Sequence, residues 1–200
     1  MAGTTEPLRI APVTLTGRFV RLEPLTLDHV DALAKIAVDP TLWTWFTTRL
    51  NERAALVAYV SDALAAQRDG SALPFVTVLV ATGEVIGSTR FMNISARDGR
   101  LEIGSTWLAP RHQRTVANTE AKYLMLRHAF ETLGATRVEL KTHALNVKSR
   151  TAIERLGTQF EGIHRKHMLQ PDGSRRDTAW YSILDDEWPA VKTRLESMLR

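Results

Sequence analysis

Two arginines stand in a short polar loop between an apolar strand and a long helix, and that order of elements makes a site for an anion. The stretch runs from Arg100 to Leu133. Leu101, Ile103 and the pair Trp107-Leu108 supply the strand, and Pro110 closes it. From about Asn118 a helix follows, with Ala121, Leu124, Met125 and Ala129 along one side and Gly134 at its end. The first N–H groups of a helix lack intrahelical acceptors, and the helix dipole adds partial positive charge there. Arg111, Arg114 and the N–H groups of about residues 114–119 are therefore placed to hold a pyrophosphate. Glu102 alternates out of phase with Leu101 and Ile103, so it faces the other side of the sheet. It is either a candidate base or a solvated surface glutamate. Other catalytic constellations are missing from the pattern. His164 and His167 are three apart on an expected strand and so fall on opposite faces, the remaining histidines are dispersed, and there is no G-x-S-x-G. No metal site is predicted.

The elements that must position these residues read in order. Residues 1–16 form an extended segment, and Phe19–Glu23 a first strand stopped by Pro24. Thr26 caps a helix with Leu27, Val30, Leu33 and Ala37 on one face, ended by Asp39-Pro40. Asn51 caps a second helix with Leu56, Val60 and Leu64 inward and Gly70 as its stop. Trp43, Trp45 and Phe46 lie between the two helices, as packing or as the wall of a cleft. Strands 74–80 and 85–94 make a hairpin that turns into 100–108. After the long helix come a strand over 136–142 and a helix opened by Asn146, with Ser149, Ile153 and Leu156 at i, i+4 and i+7. A hairpin over 160–169 and 176–184 precedes a last helix that has Pro189 in its first turn.

Composition narrows the function classes. A chain of 200 residues with 44% hydrophobic and 24% charged residues is one globular domain. The absence of cysteine excludes a thiolate nucleophile and zinc–thiolate chemistry. There is no apolar run near the ~18 residues of a membrane span and no basic-then-apolar leader. The expectation is a cytoplasmic protein, monomer or homodimer, that does not engage a membrane. The net charge of +4 is spread along the chain without a Lys/Arg run. That distribution suits an enzyme binding a polyanionic small molecule better than a nucleic-acid binder.

The loop resembles the acyl-CoA pyrophosphate motif of the GNAT superfamily of N-acetyltransferases, Q/R-x-x-G-x-G/A, which falls here on Gln113, Val116 and Asn118. The helix start Thr119-Glu120-Ala121, the N-x-x-S of Asn146–Ser149, Arg155-Leu156-Gly157 with Glu161-Gly162, and the closing PDGSRRDTAWYSILDDEW are similar to the RimJ/RimL-like group. Known members of that group acetylate the N-terminal amine of ribosomal proteins. The chain departs from the motif at both small positions. Val116 confines the loop to ordinary dihedrals, and Asn118 tolerates left-handed geometry better than most residues.

The resemblance implies an α+β GNAT fold: a mixed, mostly antiparallel central sheet with helices on both faces, one domain over residues 17–200. It implies acetyl-CoA as co-substrate and a primary amine as acceptor. Trp107, Leu108, Gln113, Arg114, Thr115, Val116, Ala117, Asn118 and Thr119 are then the cofactor-binding positions, with Asn146 and Ser149. An N–H of Trp107 or Leu108 binds the thioester carbonyl. The tyrosine position of the wider superfamily is Ile153 here, and Ser149 takes over protonation of the departing thiolate. Glu102 is the base, directly or through water, and Trp43, Trp45 and Phe46 flank the acceptor cleft. A non-catalytic acyl-CoA-binding module is the alternative reading, which turnover of acetyl-CoA separates from the first. A basic nucleic-acid binder is the third, tested by salt-dependent binding.

Overall fold

The computed structural model describes residues 7–200; the first six residues of the expected extended segment lie outside that range. Among the described residues eight strands form one sheet: β1 (Leu15–Thr16), β2 (Val20–Pro24), β3 (Leu73–Leu79), β4 (Val85–Ser95), β5 (Arg100–Leu108), β6 (Arg137–His143), β7 (Gln159–Leu169) and β8 (Arg175–Leu184). Their order is β1-β2-β3-β4-β5-β6-β8-β7. Every neighbouring pair is antiparallel except β5 and β6. Leu15 and Thr16, inside the segment expected to be merely extended, already pair with Leu22 and Arg21. Leu8 is buried, and its N–H donates to the Ala96 carbonyl.

Among the described residues five α-helices cover the sheet: α1 (Val30–Ala37), α2 (Arg53–Arg68), α3 (Val116–Arg127), α4 (Val147–Glu154) and α5 (Trp188–Met198). One face packs Leu22, Phe75, Phe91, Leu101, Ile103, Leu140 and Tyr181 against Ala121, Leu124 and Met125 of α3, Ile153 of α4 and Leu195 of α5. The opposite face packs Val76, Val78 and Trp107 against Val30 and Leu33 of α1 and Leu56 and Val60 of α2. Strand alternation explains the division. In β6, Val138, Leu140 and Thr142 are buried, while Arg137, Glu139, Lys141 and His143 turn to the other side.

Three local expectations need correction. α3 starts at Val116, two residues before Asn118, because the Thr115 side chain caps it by accepting the Ala117 N–H. α2 is entered through Glu52 and begins at Arg53, without Asn51 as its cap. His164 and His167 are not on opposite faces: the β7–β8 register slips between His164 and Met168, and Lys166 adopts φ +51°. This bulge shifts the phase of the strand, and the two imidazoles meet edge to face at 5.5 Å.

Candidate active site

The site begins where the sheet comes apart. β5 and β6 pair only at Arg100–Arg137, Leu101–Val138 and Glu102–Glu139. Beyond them Ser105 takes φ +48°, the β4–β5 register shifts, and the two parallel strands diverge. The Ala109 N–H donates to Ile86 of β4 at 2.8 Å, so alternation turns the N–H and C=O of Leu108 toward the opened gap. The Leu108 carbonyl accepts from Gln113 Nε2 at 3.0 Å, on that open side. Trp107 plays a different part. Its indole is buried edge-on to Trp43, with ring centroids 5.3 Å apart.

The loop beyond β5 is held by its own polar groups. Arg114 has φ +60°, so the left-handed turn falls two residues before Val116. Thr115 then accepts from Ala117 N–H and donates to the His112 carbonyl. Val116 and Asn118 lie inside the first helical turn with ordinary dihedrals, and the left-handed tolerance of Asn118 is not used. Helix geometry leaves their N–H groups without i−4 carbonyls. Arg114 is exposed, Arg111 is held by Glu84, and Lys148 of α4 donates to Gln113 Oε1. Thr119 and Glu120 are buried and spoken for. Thr119 Oγ1 accepts from Arg155 Nη2 at 2.6 Å, and the Glu120 carboxylate accepts the N–H groups of Arg18, Phe19 and Val20 at 2.8, 2.7 and 2.7 Å.

The other lip of the gap is the start of α4. Asn146 caps it, its Oδ1 accepting the Ser149 N–H at 3.0 Å. Ser149 is half-buried in the first turn, and among the described residues nothing binds its hydroxyl.

Below the gap, on the α1–α2 side of the sheet, the strands carry charge. Glu102 is 1% exposed, so it is not a solvated glutamate. Its Oε2 takes Lys141 Nζ at 2.9 Å and Asn93 Nδ2 at 2.8 Å, and its Oε1 lies toward Gly104. Lys141 also lies over the Trp180 ring, which packs against both His164 and His167. Burial, then the Arg176 charge, pushes the His143 imidazole down from its ordinary range. Burial, then Lys141, does the same to His167. The three aromatics separate. Trp43 is core, its indole N–H donating to the Ala37 carbonyl at 2.8 Å. Trp45 is partly exposed against His143, with centroids 4.9 Å apart. Phe46 lines a cleft of about 410 Å³ between the α1–α2 connection and the β7–β8 turn, together with Pro40, Asn51, Gln170 and Pro171.

Residues 20–159 match the family described as an acetyltransferase (GNAT) domain. The chain belongs to the GNAT acetyltransferase family. A GCN5-related N-acetyltransferase from Brucella melitensis is 37% identical and superposes at a TM-score of 0.88, over 98% of this chain and 89% of that one. RimJ of Mycobacterium smegmatis, solved in complex with CoA-disulfide, is 25% identical at a TM-score of 0.79, over 97% of this chain and 93% of that one. The uncharacterized N-acetyltransferase p20 of Bacillus licheniformis is 26% identical over 179 residues, 88% of this chain and 98% of that protein. This GNAT chain is thus an acyltransferase of RimJ-like type, and its opened sheet, capped loop and α4 serine are the parts to be assigned roles.

Sequence reasoning passed over Lys141, His143, Arg176 and Arg90, all on the α1–α2 side of the sheet. A signal was available. Lys141 and His143 alternate with Leu140 and Thr142, so they share one polar face of β6. The convergence of that face with β4 and β8 follows only from the strand order.

Proposed function

We propose that this GNAT acetyltransferase moves the acetyl group of acetyl-CoA onto a primary amine of low pKa, with a protein or peptide N-terminal α-amine as the preferred class. The observation that supports this reading is the gap between β5 and β6, which brings an outward-facing Leu108 N–H, the capped loop and Ser149 to one opening. Exposed Arg114 with Lys148 on α4, and the first-turn N–H groups of Val116 and Asn118, fit a pyrophosphate. Val116 does not obstruct this, since the left-handed turn is made at Arg114. The thioester supplies an activated acetyl group and a good leaving thiolate.

The residues of the chain do the rest. Leu108 N–H, fixed by the strand on which it lies, stabilises the oxygen on which charge develops, often the largest catalytic term. As the amine nitrogen bonds to the carbonyl carbon, the C–S bond breaks, one proton leaves the nitrogen and one reaches the sulfur. Ser149 supplies the second from an otherwise unengaged hydroxyl. Glu102 keeps only Oε1 for the first, directly or through water, because Oε2 is committed to Lys141 and Asn93. A base so placed suits an acceptor that is largely neutral already. Near pH 7.5 roughly a third of α-amines are neutral, against about one lysine side chain in a thousand. The partly exposed Trp45 and half-buried Phe46 then wall the cleft that receives the residue bearing the amine; Trp43 supports them from the core.

The test compares a lysine-free peptide having an open N-terminus with an N-blocked, lysine-containing peptide of equal length. Faster acetylation of the first near pH 7.5 is expected. Equal or faster acetylation of the blocked peptide would rule out the acceptor class.

A further inference from the structure

Arg90 is out of place by the ordinary rules of burial. It stands on β4 opposite Gly104 of β5, on the acceptor side of the sheet, and is 8% exposed. Its Nε and Nη2 are both fully buried, and no hydrogen-bond acceptor among the described residues reaches them. Those two nitrogens form one edge of the guanidinium, the edge whose parallel N–H bonds match a carboxylate. Arg53 of this chain uses the same pair on Asp31 Oδ1, at 3.2 and 2.8 Å. The Arg90 guanidinium lies over the Tyr59 ring of α2, 4.4 Å from guanidinium carbon to centroid, and that stacking leaves the in-plane edge free. The Tyr59 hydroxyl is buried and unpartnered too. Glu102, two residues along β5, gives its bonds to Lys141 and Asn93 instead.

The charge around it is one-sided. Arg90, Lys141 and Arg176 stand on this face with His143, His164 and His167; of the carboxylates there, Glu102 is taken by Lys141, and Glu139 and Glu161 are paired with Arg137, while Asp177 accepts from the Lys166 backbone. Arg176 is also 8% exposed and reaches only neutral acceptors, Thr178 Oγ1 and the Trp45 carbonyl. A buried cation without an anion costs several kcal/mol. Arg176 has the Glu102 carboxylate within electrostatic reach, whereas the Nε–Nη2 edge of Arg90 has no acceptor among the described residues. Opposite Arg90, at Gly104, a Cβ would lie 2.5 Å from Met92 Sδ and 2.9 Å from Glu102 Oε1, so these two side chains already pack against the glycine.

We propose that the acceptor amine carries a carboxylate, and that the Nε–Nη2 edge of Arg90, with the Tyr59 hydroxyl, receives it. This rests on the acetyl-transfer reading above and narrows its acceptor to α-amines with an acidic group close by. That group belongs either to a peptide with an acidic residue near its N-terminus or to a free acidic amino acid.

Two matched pairs test it: a peptide with glutamate near its open N-terminus against its glutamine counterpart, and free glutamate against free glutamine. The acidic member of at least one pair should have a kcat/KM higher by about 10-fold or more, the usual worth of charge-assisted hydrogen bonds. The pair that shows the preference identifies the source of the carboxylate. Arg90→Gln should erase the preference and Arg90→Lys keep part of it, with the melting rise on acetyl-CoA unchanged in both. Arg90→Gln removes an unpaired buried charge, so it should fold. No acid preference in either pair, no turnover of either acidic acceptor, or a preference that survives Arg90→Gln would overturn the proposal. If acetyl-CoA itself fails to raise the melting point of the wild type, the acetyl-transfer reading falls and takes this one with it. A normal rise without acid preference sinks this one alone.

Discussion

Replacing Glu120 by alanine should unfold this protein more easily than it should weaken its grip on acetyl-CoA. The carboxylate is 4% exposed and accepts three successive backbone N–H groups at the start of β2, from Arg18, Phe19 and Val20. Gly17 completes the cradle, since a Cβ there would sit 2.4 Å from the Glu120 carboxyl carbon. After truncation the Val20 N–H is left buried and unsatisfied, at about 1–3 kcal/mol. The other two donors lie nearer the surface and regain water, losing about 0.5–1.5 kcal/mol each. The sum is roughly 2–6 kcal/mol, or about 4–24 °C in the midpoint of a domain this size. Glu120→Gln is the sharper control. Its carbonyl oxygen can still serve Phe19 and Val20, but its amide then confronts the Arg18 N–H donor to donor, so about a third of the loss is expected. Thermal and urea unfolding of the three proteins measure this, alongside acetyl-CoA titration. A Glu120→Ala midpoint within about 2 °C of wild type would refute the reasoning, as would a glutamine variant no better than the alanine one.

Two further outcomes follow from the site. Ser149→Ala should reduce kcat near the low end of the ~10²–10⁴-fold range for proton-transfer groups, because a thiolate leaves readily, with little change in the KM for acetyl-CoA; unchanged kcat at saturating amine would return Ser149 to a mere helix residue. Lys122 is buried with only Thr106 Oγ1 at 2.6 Å and Thr89 Oγ1 at 3.4 Å, and burial lowers its pKa to about 7. Its folded pKa lies below the unfolded one, so between about pH 7 and 10 the unfolded chain binds the extra proton and stability rises with pH. Lys122→Met should flatten that rise and lift the midpoint at neutral pH; a slope identical to wild type would show that the ammonium is not being desolvated.

Much of this was legible in the chain because local chemistry dictated it. Asn146, Pro189 and the apolar alternation of β5 and β6 mark their elements directly, and strand–loop–helix order pointed to the anion loop, whereas Thr26 precedes a 3-10 turn and α1 starts only at Val30, after His29. The misses have physical causes. Thr115 and Val116 read as loop because a threonine cap extends a helix beyond its apolar stripe. The meeting of His164 and His167 depends on a bulge with a lysine at positive φ, which no period-2 count anticipates. For Glu102 the sequence left base and solvated glutamate both open, because its shelter comes from Lys141, 39 positions away and brought near through the β5–β6 pairing. Glu120 was noticed only as part of a familiar helix start, whereas its partners lie about a hundred residues upstream.

The three residue pairs joining β5 to β6 also bear on how the chain survives without its ligand. They are the whole of the parallel seam, so past Glu102 two strand edges face each other with their peptide groups unshared. Bare edges invite pairing with another chain, and here they sit inside a cleft, shielded by α4 and the loop that ends at Thr115. An amide-bearing ligand lying between them would supply the missing partners and tie β1–β5 to β6–β8. Loading and folding would then be linked by mass action, worth about 2.7 kcal/mol at a hundredfold excess over Kd. A cell starved of acetyl-CoA would hold this enzyme in its more fragile form, so the protein's lifetime, and not only its turnover, would follow the supply of its co-substrate.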